Sequence, residues 1–186
     1  KENLAAGLVL LTGYNGTQNF VDPMCGSGTI IIESLLIKGK IPPSYIALEA
    51  ILTHKEESYW DFMNHNWFTK DKYLLETWDK LLKTYLEKSK DGFERLEKSD
   101  VQTIASDIEK FALNATKYNF KASDMADFVT LSEEDATTVT HPGLASGILI
   151  TNPPCCERIG EERDLPDLYH NFGENLKNNF KGFKAY

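Results

Sequence analysis

One feature constrains the fold of this chain most strongly. A short apolar segment leads directly into a glycine-containing turn, which is followed by an apolar helix. Phe20 and Val21 form the segment, and the turn reads Asp-Pro-Met-Cys-Gly-Ser-Gly-Thr over residues 22–29. Apolar residues dominate from Ile30 to Ile37. The order predicts a β-strand, a tight turn and a buried helix, which is how a repeating unit of an α/β domain begins.

Three further apolar segments predict the rest of the sheet, at residues 101–105, 126–131 and 147–151. The last is almost entirely apolar, which is typical of a strand buried on both faces of a parallel sheet. Helices are predicted over residues 3–12, 72–88, 108–119 and 167–180. The alternation predicts a doubly wound, mostly parallel α/β sheet with right-handed crossovers. Because only four strands are predicted and an open sheet would end on an unpaired edge, we expect a sheet truncated after its fourth strand.

Residues 44–100 are rich in tryptophan and charge, and we expect them to form a helical insertion within one domain spanning residues 1–186. The amphipathic segment 72–88 places one apolar stripe on a helix. The stripe consists of Leu74, Leu75, Trp78, Leu81, Leu82, Tyr85 and Leu86. Burial alone requires this spacing, so we assign the stripe no chemistry.

Composition restricts the class of protein. No apolar segment is long enough for a membrane span, and three cysteines provide neither a disulfide framework nor a CxxC zinc site. The four histidines show no spacing of metal ligands, so we expect a cytoplasmic protein without a metal. The net charge of −8 opposes nucleic-acid binding, because phosphates are neutralised by Lys and Arg. Any nucleic-acid substrate therefore needs a positive surface from a separate domain.

Candidate functional residues follow each predicted strand, where ligands bind in open α/β sheets. The turn at 22–29 lets a ligand approach the backbone and the helix N-terminus, although a Gly-Ser-Gly turn is weak evidence on its own. Asp107 is placed to accept hydrogen bonds from ribose hydroxyls, or to cap a helix in competition with Ser106. Asp135 is placed to accept from an adenine amino group, or lies in a solvated acidic turn. Together these positions outline an adenosine site.

The sequence Asn152-Pro153-Pro154 follows the fourth strand. Few structural requirements explain such a loop, which therefore indicates a function. An exocyclic amine is a poor nucleophile, because its lone pair is delocalised into the base. The side-chain oxygen of Asn152 and the carbonyl of Pro153 can accept its two N–H hydrogens, orient the nitrogen and favour a tetrahedral transition state. Proline fixes the backbone and removes competing donors. This chemistry needs neither a general base nor a metal.

The segments DPMCGSGT (22–29), NPPCCERIG (152–160) and KENLAAGLVLLTGY (1–14) together resemble the class I RNA guanine-N2 methyltransferases, whose members often carry a THUMP domain. The closest resemblance is to the upstream methyltransferase module of the bacterial large-subunit rRNA enzymes. It implies a Rossmann-like class I methyltransferase fold, S-adenosylmethionine as cofactor, guanine N2 of ribosomal RNA as methyl acceptor and a separate THUMP-like RNA-binding domain.

The resemblance also implies residue roles. The glycine turn holds the methionine part of the cofactor, Asp107 the ribose and Asp135 the adenine. The full implied cofactor set is Asn3, Asp22, Cys25, Gly26, Ser27, Gly28, Thr29, Asp107, Asp135 and Asn152. The implied catalytic residues are Asn152, Pro153 and Pro154, and Pro154 and Cys155 contact the base.

One position departs from the family pattern, because Cys155 stands where an aromatic residue usually stacks on the base. Stacking contributes roughly 1–3 kcal/mol per base, so this change weakens base positioning about tenfold or more. We do not expect Cys155 to act as a nucleophile, since amino methylation needs none. Cys25 is at a helix N-terminus, which can lower a thiol pKa, but a small residue suits the tight turn equally.

Several alternatives remain open from the sequence. The same loop suits DNA adenine N6, tRNA guanine or a protein amide as methyl acceptor. The change at Cys155 also allows a module that binds cofactor or RNA with weakened catalysis. A dehydrogenase shares the fold class, but hydride transfer has no use for two acceptors directed at an amine.

Overall fold

The computed structural model describes residues 1–52, 60–141, 143–154 and 165–186. The chain divides into two compact units. One comprises Lys1–Ile37 with Ser99–Tyr186 and contains the sheet, and we call it the sheet unit. The other comprises Lys38–Lys98, and we call it the helical unit. The helices in chain order are α1 Glu2–Leu11, α2 Thr29–Gly39, α3 Tyr45–Leu52, α4 Asn66–Thr69, α5 Lys72–Glu97, α6 Lys110–Ala122 and α7 Leu165–Asn179.

The sheet has five parallel strands in the order β3-β2-β1-β4-β5. Their bounds are β1 Asn19–Asp22, β2 Thr103–Asp107, β3 Thr130–Glu133, β4 Gly147–Leu149 and β5 Phe183–Ala185. The order reverses at β1, which pairs with β2 on one side and β4 on the other. Such a reversal opens a crevice at the carboxyl ends of the strands. The predicted doubly wound parallel α/β fold is therefore confirmed.

Residues on both faces of β1 are completely buried. Phe20 and Val21 point to opposite faces, and both are inaccessible to solvent. The Phe20 ring contacts that of Tyr14, with 4.8 Å between centroids. Val21 belongs to a core cluster that includes Leu149 and Phe172. Burial on both faces explains why the central strands read as continuous apolar segments.

The sheet differs from the sequence prediction at two strands. A fifth strand, β5, pairs with β4, so the prediction of a sheet ending at its fourth strand was wrong. Three residues with Lys184 in the middle carry too weak an apolar signal to be recognised as a strand. The predicted strand at 126–131 begins later, because Ala126–Phe128 forms a 3₁₀ turn and β3 starts at Thr130.

Helix α6 leaves two of its three aromatic side chains exposed. Phe111 and Tyr118 are 86% and 74% exposed. Leu113, Thr116 and Phe120 face the sheet unit's core instead. Their spacing of three and four residues satisfies the helical period, although one of them is polar.

The helical unit contains α3, α4 and α5 with a 3₁₀ turn at Asp61–Asn64, and the interpretation of residues 44–100 as an insertion within one domain stays a prediction. Its aromatic residues pack on one another, for example Trp60 on Trp78 at 5.3 Å between centroids. The carboxylate of Asp71 caps α5 by accepting from the backbone N–H groups of Tyr73 and Leu74. The helix extends to Glu97, beyond the predicted end at residue 88. None of the helices in the described part of the chain is long and apolar enough to cross a membrane.

Candidate functional site

A cavity of about 770 Å³ opens in the sheet unit, beside the ends of β1 and β4. It is lined by residues of α1, of the turn after β1, of the segment after β4, and by Tyr186. Six of the predicted site residues are among them, namely Asp22, Cys25, Gly26, Ser27, Thr29 and Asn152. The glycine turn and the Asn-Pro-Pro loop therefore face the same space, as the sequence analysis required.

Strand pairing explains why the two loops meet. Val21 of β1 is in register with Leu149 of β4, and the Ile150 N–H donates to the Val21 carbonyl at 3.0 Å. The chain therefore leaves two adjacent parallel strands at the same edge of the sheet. The turn beginning at Asp22 and the loop at Asn152 are neighbours for this reason.

Neighbouring elements hold the backbone of the glycine turn. From β2, the Ser106 carbonyl accepts from the Cys25 N–H, and Asp107 Oδ2 accepts from the Gly26 N–H, both at 2.9 Å. From α6, Thr116 Oγ1 donates to the Gly26 carbonyl and Asn119 Nδ2 donates to the Ser27 carbonyl. Neither Thr116 nor Asn119 was predicted from the sequence as a site residue. Their spacing of three residues on α6 is the only signal that could have indicated a shared target.

The two glycines of the turn serve different purposes. Both adopt positive φ, +55° at Gly26 and +81° at Gly28, which is costly for other residues. A Cβ at Gly28 would lie 2.7 Å from Cε1 of Phe120 and 2.9 Å from Cγ2 of Thr116. A Cβ at Gly26 would meet no atom of the protein within 4 Å. Gly28 thus permits close packing of α6, whereas Gly26 leaves its surface open beside the cavity.

Asp22 is a buried carboxyl group at the cavity, with a side chain 1% exposed. Oδ1 accepts from the Met24 N–H at 3.3 Å, while Oδ2 has no hydrogen-bond partner among the described residues. The pKa of this carboxyl group is raised to about 7, mainly by burial and to a smaller extent by the charge of Asp107. The Thr151 hydroxyl lies close enough to oppose this pKa shift, but it makes no hydrogen bond of normal geometry with the carboxyl group.

Cys25 does not have the lowered pKa that a helix N-terminus can produce. Burial raises the pKa of its thiol to about 12, and the neighbouring Asp22 charge acts in the same direction. The side chain lies 3.9 Å from the Thr116 hydroxyl. Cys25 is therefore a neutral small residue in a tight turn, which agrees with the second of the two interpretations offered by the sequence.

Several predicted cofactor residues lie outside the cavity lining. Asp107 uses its other oxygen to accept from the Glu109 N–H at 2.9 Å, just before α6. Asp135 Oδ1 accepts from the backbone N–H and the hydroxyl of Thr137. Asn3 is exposed and accepts from the Leu4 N–H. Their assigned contacts with ribose, adenine and cofactor stay predictions.

The Asn-Pro-Pro loop places Asn152 on the cavity lining, while Pro153 and Pro154 are half-buried beside it. Tyr169 of α7 donates its hydroxyl hydrogen to the Pro154 carbonyl at 3.0 Å. Tyr169 was not predicted from the sequence as a site residue. Cys155, the predicted base contact after Pro154, lies outside the described residues.

Helix α1 forms an apolar wall of the cavity. Leu4, Leu8 and Leu11 are exposed on the helix face predicted from their spacing, and all three line the cavity. Tyr186 holds this helix near the sheet, because its hydroxyl donates to the Thr12 carbonyl and its N–H donates to the Leu149 carbonyl. In the part of the chain that the structure describes, no three His, Cys, Asp or Glu side chains come together as metal ligands.

Comparison with known proteins gives a consistent result. The family model described as "RMKL-like, methyltransferase domain" matches residues 1–186. Two relatives bear the name ribosomal RNA large subunit methyltransferase K/L. That of Syntrophotalea carbinolica is 34% identical over 192 residues and that of Vibrio campbellii 30% over 186 residues, each covering 100% of this chain. The chain spans 24% of the length of each of these relatives.

Solved structures share the fold. A methyltransferase designated SMU.472, in complex with SAH, superimposes with a TM-score of 0.71 at 25% identity. A protein described as a predicted N6-adenine-specific DNA methylase from Listeria monocytogenes superimposes with a TM-score of 0.69 at 25% identity. Each alignment covers 100% of this chain, and 43% and 42% of those chains respectively. With the family model matched from end to end, the chain belongs to the family of RMKL-like methyltransferase domains.

Proposed function

We propose that residues 1–186 form the catalytic domain of an S-adenosylmethionine-dependent enzyme that methylates the exocyclic N2 of guanine in large-subunit ribosomal RNA. The observation that carries the proposal is the single cavity lined by both the glycine turn and Asn152 in a chain of a methyltransferase family. The names of the relatives support ribosomal RNA as substrate. Residues 44–100 would then be an insertion in this domain, and the enzyme would act in the cytoplasm on ribosomal precursors.

The residues present suit the cofactor, which supplies an electrophilic methyl group when bound. The unpartnered Oδ2 of Asp22 suits an ammonium group, and the open surface at Gly26 suits close approach of the methionine part. The first backbone N–H groups of α2 suit a carboxylate. Asp107 and Asp135, after β2 and β3, would accept from the ribose and the adenine, as the resemblance implies.

The residues of the loop orient the acceptor. Asn152 Oδ1 and the Pro153 carbonyl would accept the two hydrogens of the guanine amino group and direct its nitrogen toward the cavity. These contacts strengthen as the nitrogen becomes tetrahedral, so they favour the transition state over the ground state. The leucines of α1 provide an apolar wall that limits the access of water to the reacting groups.

Replacing Asn152 tests this assignment. Asn152→Ala removes one acceptor, and we expect methyl incorporation into undermethylated rRNA to fall on the order of 10²–10³-fold, the range for loss of one transition-state contact. Cofactor affinity, measured by calorimetry, should change little. Asn178→Ala on the exposed face of α7 is the control variant. Wild-type turnover by Asn152→Ala would rule out the proposed mechanism.

The methyl acceptor requires a separate measurement. The name given to the Listeria structure keeps DNA adenine N6 as a second candidate. Incubation with rRNA, tRNA and DNA in turn, followed by mass analysis of the nucleosides, would distinguish N2-methylguanosine from N6-methyladenine. N2-methylguanosine in rRNA alone supports the proposal, and any other product replaces it. Cofactor binding without methylation of any substrate would instead indicate a weakened module, the alternative motivated by Cys155.

We also propose that a separate RNA-binding domain of the THUMP type contributes to the binding of rRNA. The net charge of −8 disfavours strong binding of a polyanion by this chain alone. The curated relatives are about four times longer than the segment matched here, which leaves room for such a domain.

A further inference from the structure

The exposed face of α6 combines exposed aromatic residues with a row of lysines. Phe111 and Tyr118 are 86% and 74% exposed, although large aromatic residues are usually buried. They are seven residues apart, two helical turns, so both point to the same side about 10.5 Å apart along the axis. Three lysines occupy the adjacent strip of the same helix, namely Lys110, Lys117 and Lys121.

Charge distinguishes this helix from the rest of the chain. The sequence has 28 acidic and 20 basic residues, yet residues 110–122 contain three lysines and no Asp or Glu. Lys110 lies 3.7 Å from Glu133 in an exposed ion pair. Within the described ranges, Lys117 and Lys121 form no ion pair within 4 Å. Glu109 and Asp124 flank the helix at its two ends.

The helical period places the two residue types in two parallel rows. At 100° per residue the lysines fall within about 40° of one another, and the aromatic residues lie on one side of them. Leu113, Thr116 and Phe120 project in the opposite direction, into the core. A row of cations beside a row of aromatic rings matches an unpaired polynucleotide strand, whose phosphates and bases lie on different sides of its backbone.

We infer that this face of α6 binds single-stranded RNA, with Lys110, Lys117 and Lys121 along the phosphates and Phe111 and Tyr118 stacking on bases. The inference rests on the proposed function for the kind of nucleic acid. Unpaired strands fit better than a duplex, because bases inside a duplex cannot stack on protein side chains. The same helix donates through Asn119 to the glycine turn.

Binding measurements without cofactor test the inference separately from catalysis. The probes are a fluorescently labelled single-stranded RNA and heparin, a polyanion without bases. We expect Phe111→Ala with Tyr118→Ala to lower RNA affinity about thirtyfold or more, the effect of losing two stacking contacts of about 1–3 kcal/mol each, and to leave heparin affinity unchanged. The double variant Lys117→Gln with Lys121→Gln should lower the affinity for both RNA and heparin. It should also reduce the dependence of log affinity for RNA on log salt by about 1.4, for two lost phosphate contacts.

Tyr73→Ala is the matched control, because Tyr73 is an equally exposed aromatic residue on α5. It should bind RNA as the wild type does. The inference would be overturned if the double aromatic variant bound RNA as tightly as the wild type or lost as much affinity for heparin as for RNA. It would also be overturned if the wild type bound no RNA. Specific binding of RNA through α6 without methyl transfer would instead contradict only the proposed function. In an active enzyme the aromatic variant should raise KM for RNA and leave kcat unchanged.

Discussion

The carboxyl group of Asp22 is the most perturbed acid beside the cavity, with a pKa raised to about 7 by burial. The ordinary pKa of this group is 3.8. Between pH 3.8 and about pH 7, the native state therefore holds a proton that the unfolded chain has already released. The native state therefore binds more protons in this window, and stability from Asp22 is greatest at low pH. It is lost as the pH rises toward 7.

Replacing this carboxyl group should remove that dependence. In the wild type, the unfolded chain loses the Asp22 proton above about pH 4, whereas the native state keeps it. We expect this difference to lower the free energy of unfolding by up to about 1.4 kcal/mol per pH unit between roughly pH 4 and pH 7. Asp22→Asn retains the acceptor for the Met24 N–H but cannot ionise, so its profile should lack this component. Urea unfolding of both proteins across this range is the measurement. Parallel profiles would show that the native carboxyl group titrates normally.

The hydroxyl of Tyr169 is expected to position the Asn-Pro-Pro loop. Tyr169→Phe removes only the hydrogen bond to the Pro154 carbonyl and keeps the ring. A lost hydrogen bond of about 1 kcal/mol should leave the loop less well oriented and lower kcat about fivefold, with unchanged cofactor affinity. Steady-state kinetics with calorimetry measure both. Tyr73→Phe on α5 serves as control, since Tyr73 is exposed and belongs to neither the loop nor the proposed RNA-binding face.

The packing of the glycine turn against α6 predicts different costs for two similar substitutions. Both Gly26→Ala and Gly28→Ala place a Cβ on a residue with positive φ, which costs about 1 kcal/mol. Only Gly28→Ala adds a collision with Phe120 and Thr116, for which overpacking costs of about 1–3 kcal/mol are typical. Thermal unfolding should show a clearly larger loss of stability for Gly28→Ala. Equal losses would mean that α6 moves aside freely.

Gly26→Ala should act on binding instead. Its Cβ meets no protein atom within 4 Å, and Gly26 lines the cavity. The added methyl group would occupy space that the proposed cofactor needs, so calorimetry should show weaker cofactor binding than the modest loss of stability explains.

Because the chain divides into two units, the effect of a bound ligand on each unit can be measured separately by amide hydrogen exchange. Every cavity-lining residue belongs to the sheet unit. Cofactor at a hundred times its Kd stabilises the structure that binds it by about 2.7 kcal/mol. We expect amide hydrogen exchange to slow in residues 1–37 and 99–186 more than in 38–98. Equal slowing in both units would show that they unfold together.

Patterns among neighbouring residues were enough to predict the first strand and the two loops that line the cavity. The strand at Phe20–Val21, the turn at 22–29 and the loop at 152–154 were all predicted, because alternation, glycine placement and proline pairs act over a few neighbouring residues. The parallel arrangement then required both loops to lie at the same edge of the sheet. The residues lining the cavity from these two loops agree with that expectation.

Contacts between distant parts of the chain needed the folded arrangement. The carboxylate of Asp107 holds Gly26 across 81 residues, Asn119 reaches Ser27 across 92, and Asn175 donates to Ala136 across 39. Strand β5 forms because β4 presents an edge, and its own three residues carry little signal. The pKa of Asp22 likewise depends on which groups surround it after folding. Local order is encoded by neighbours in sequence, whereas partners, burial and electrostatics depend on neighbours in space, which only packing brings together.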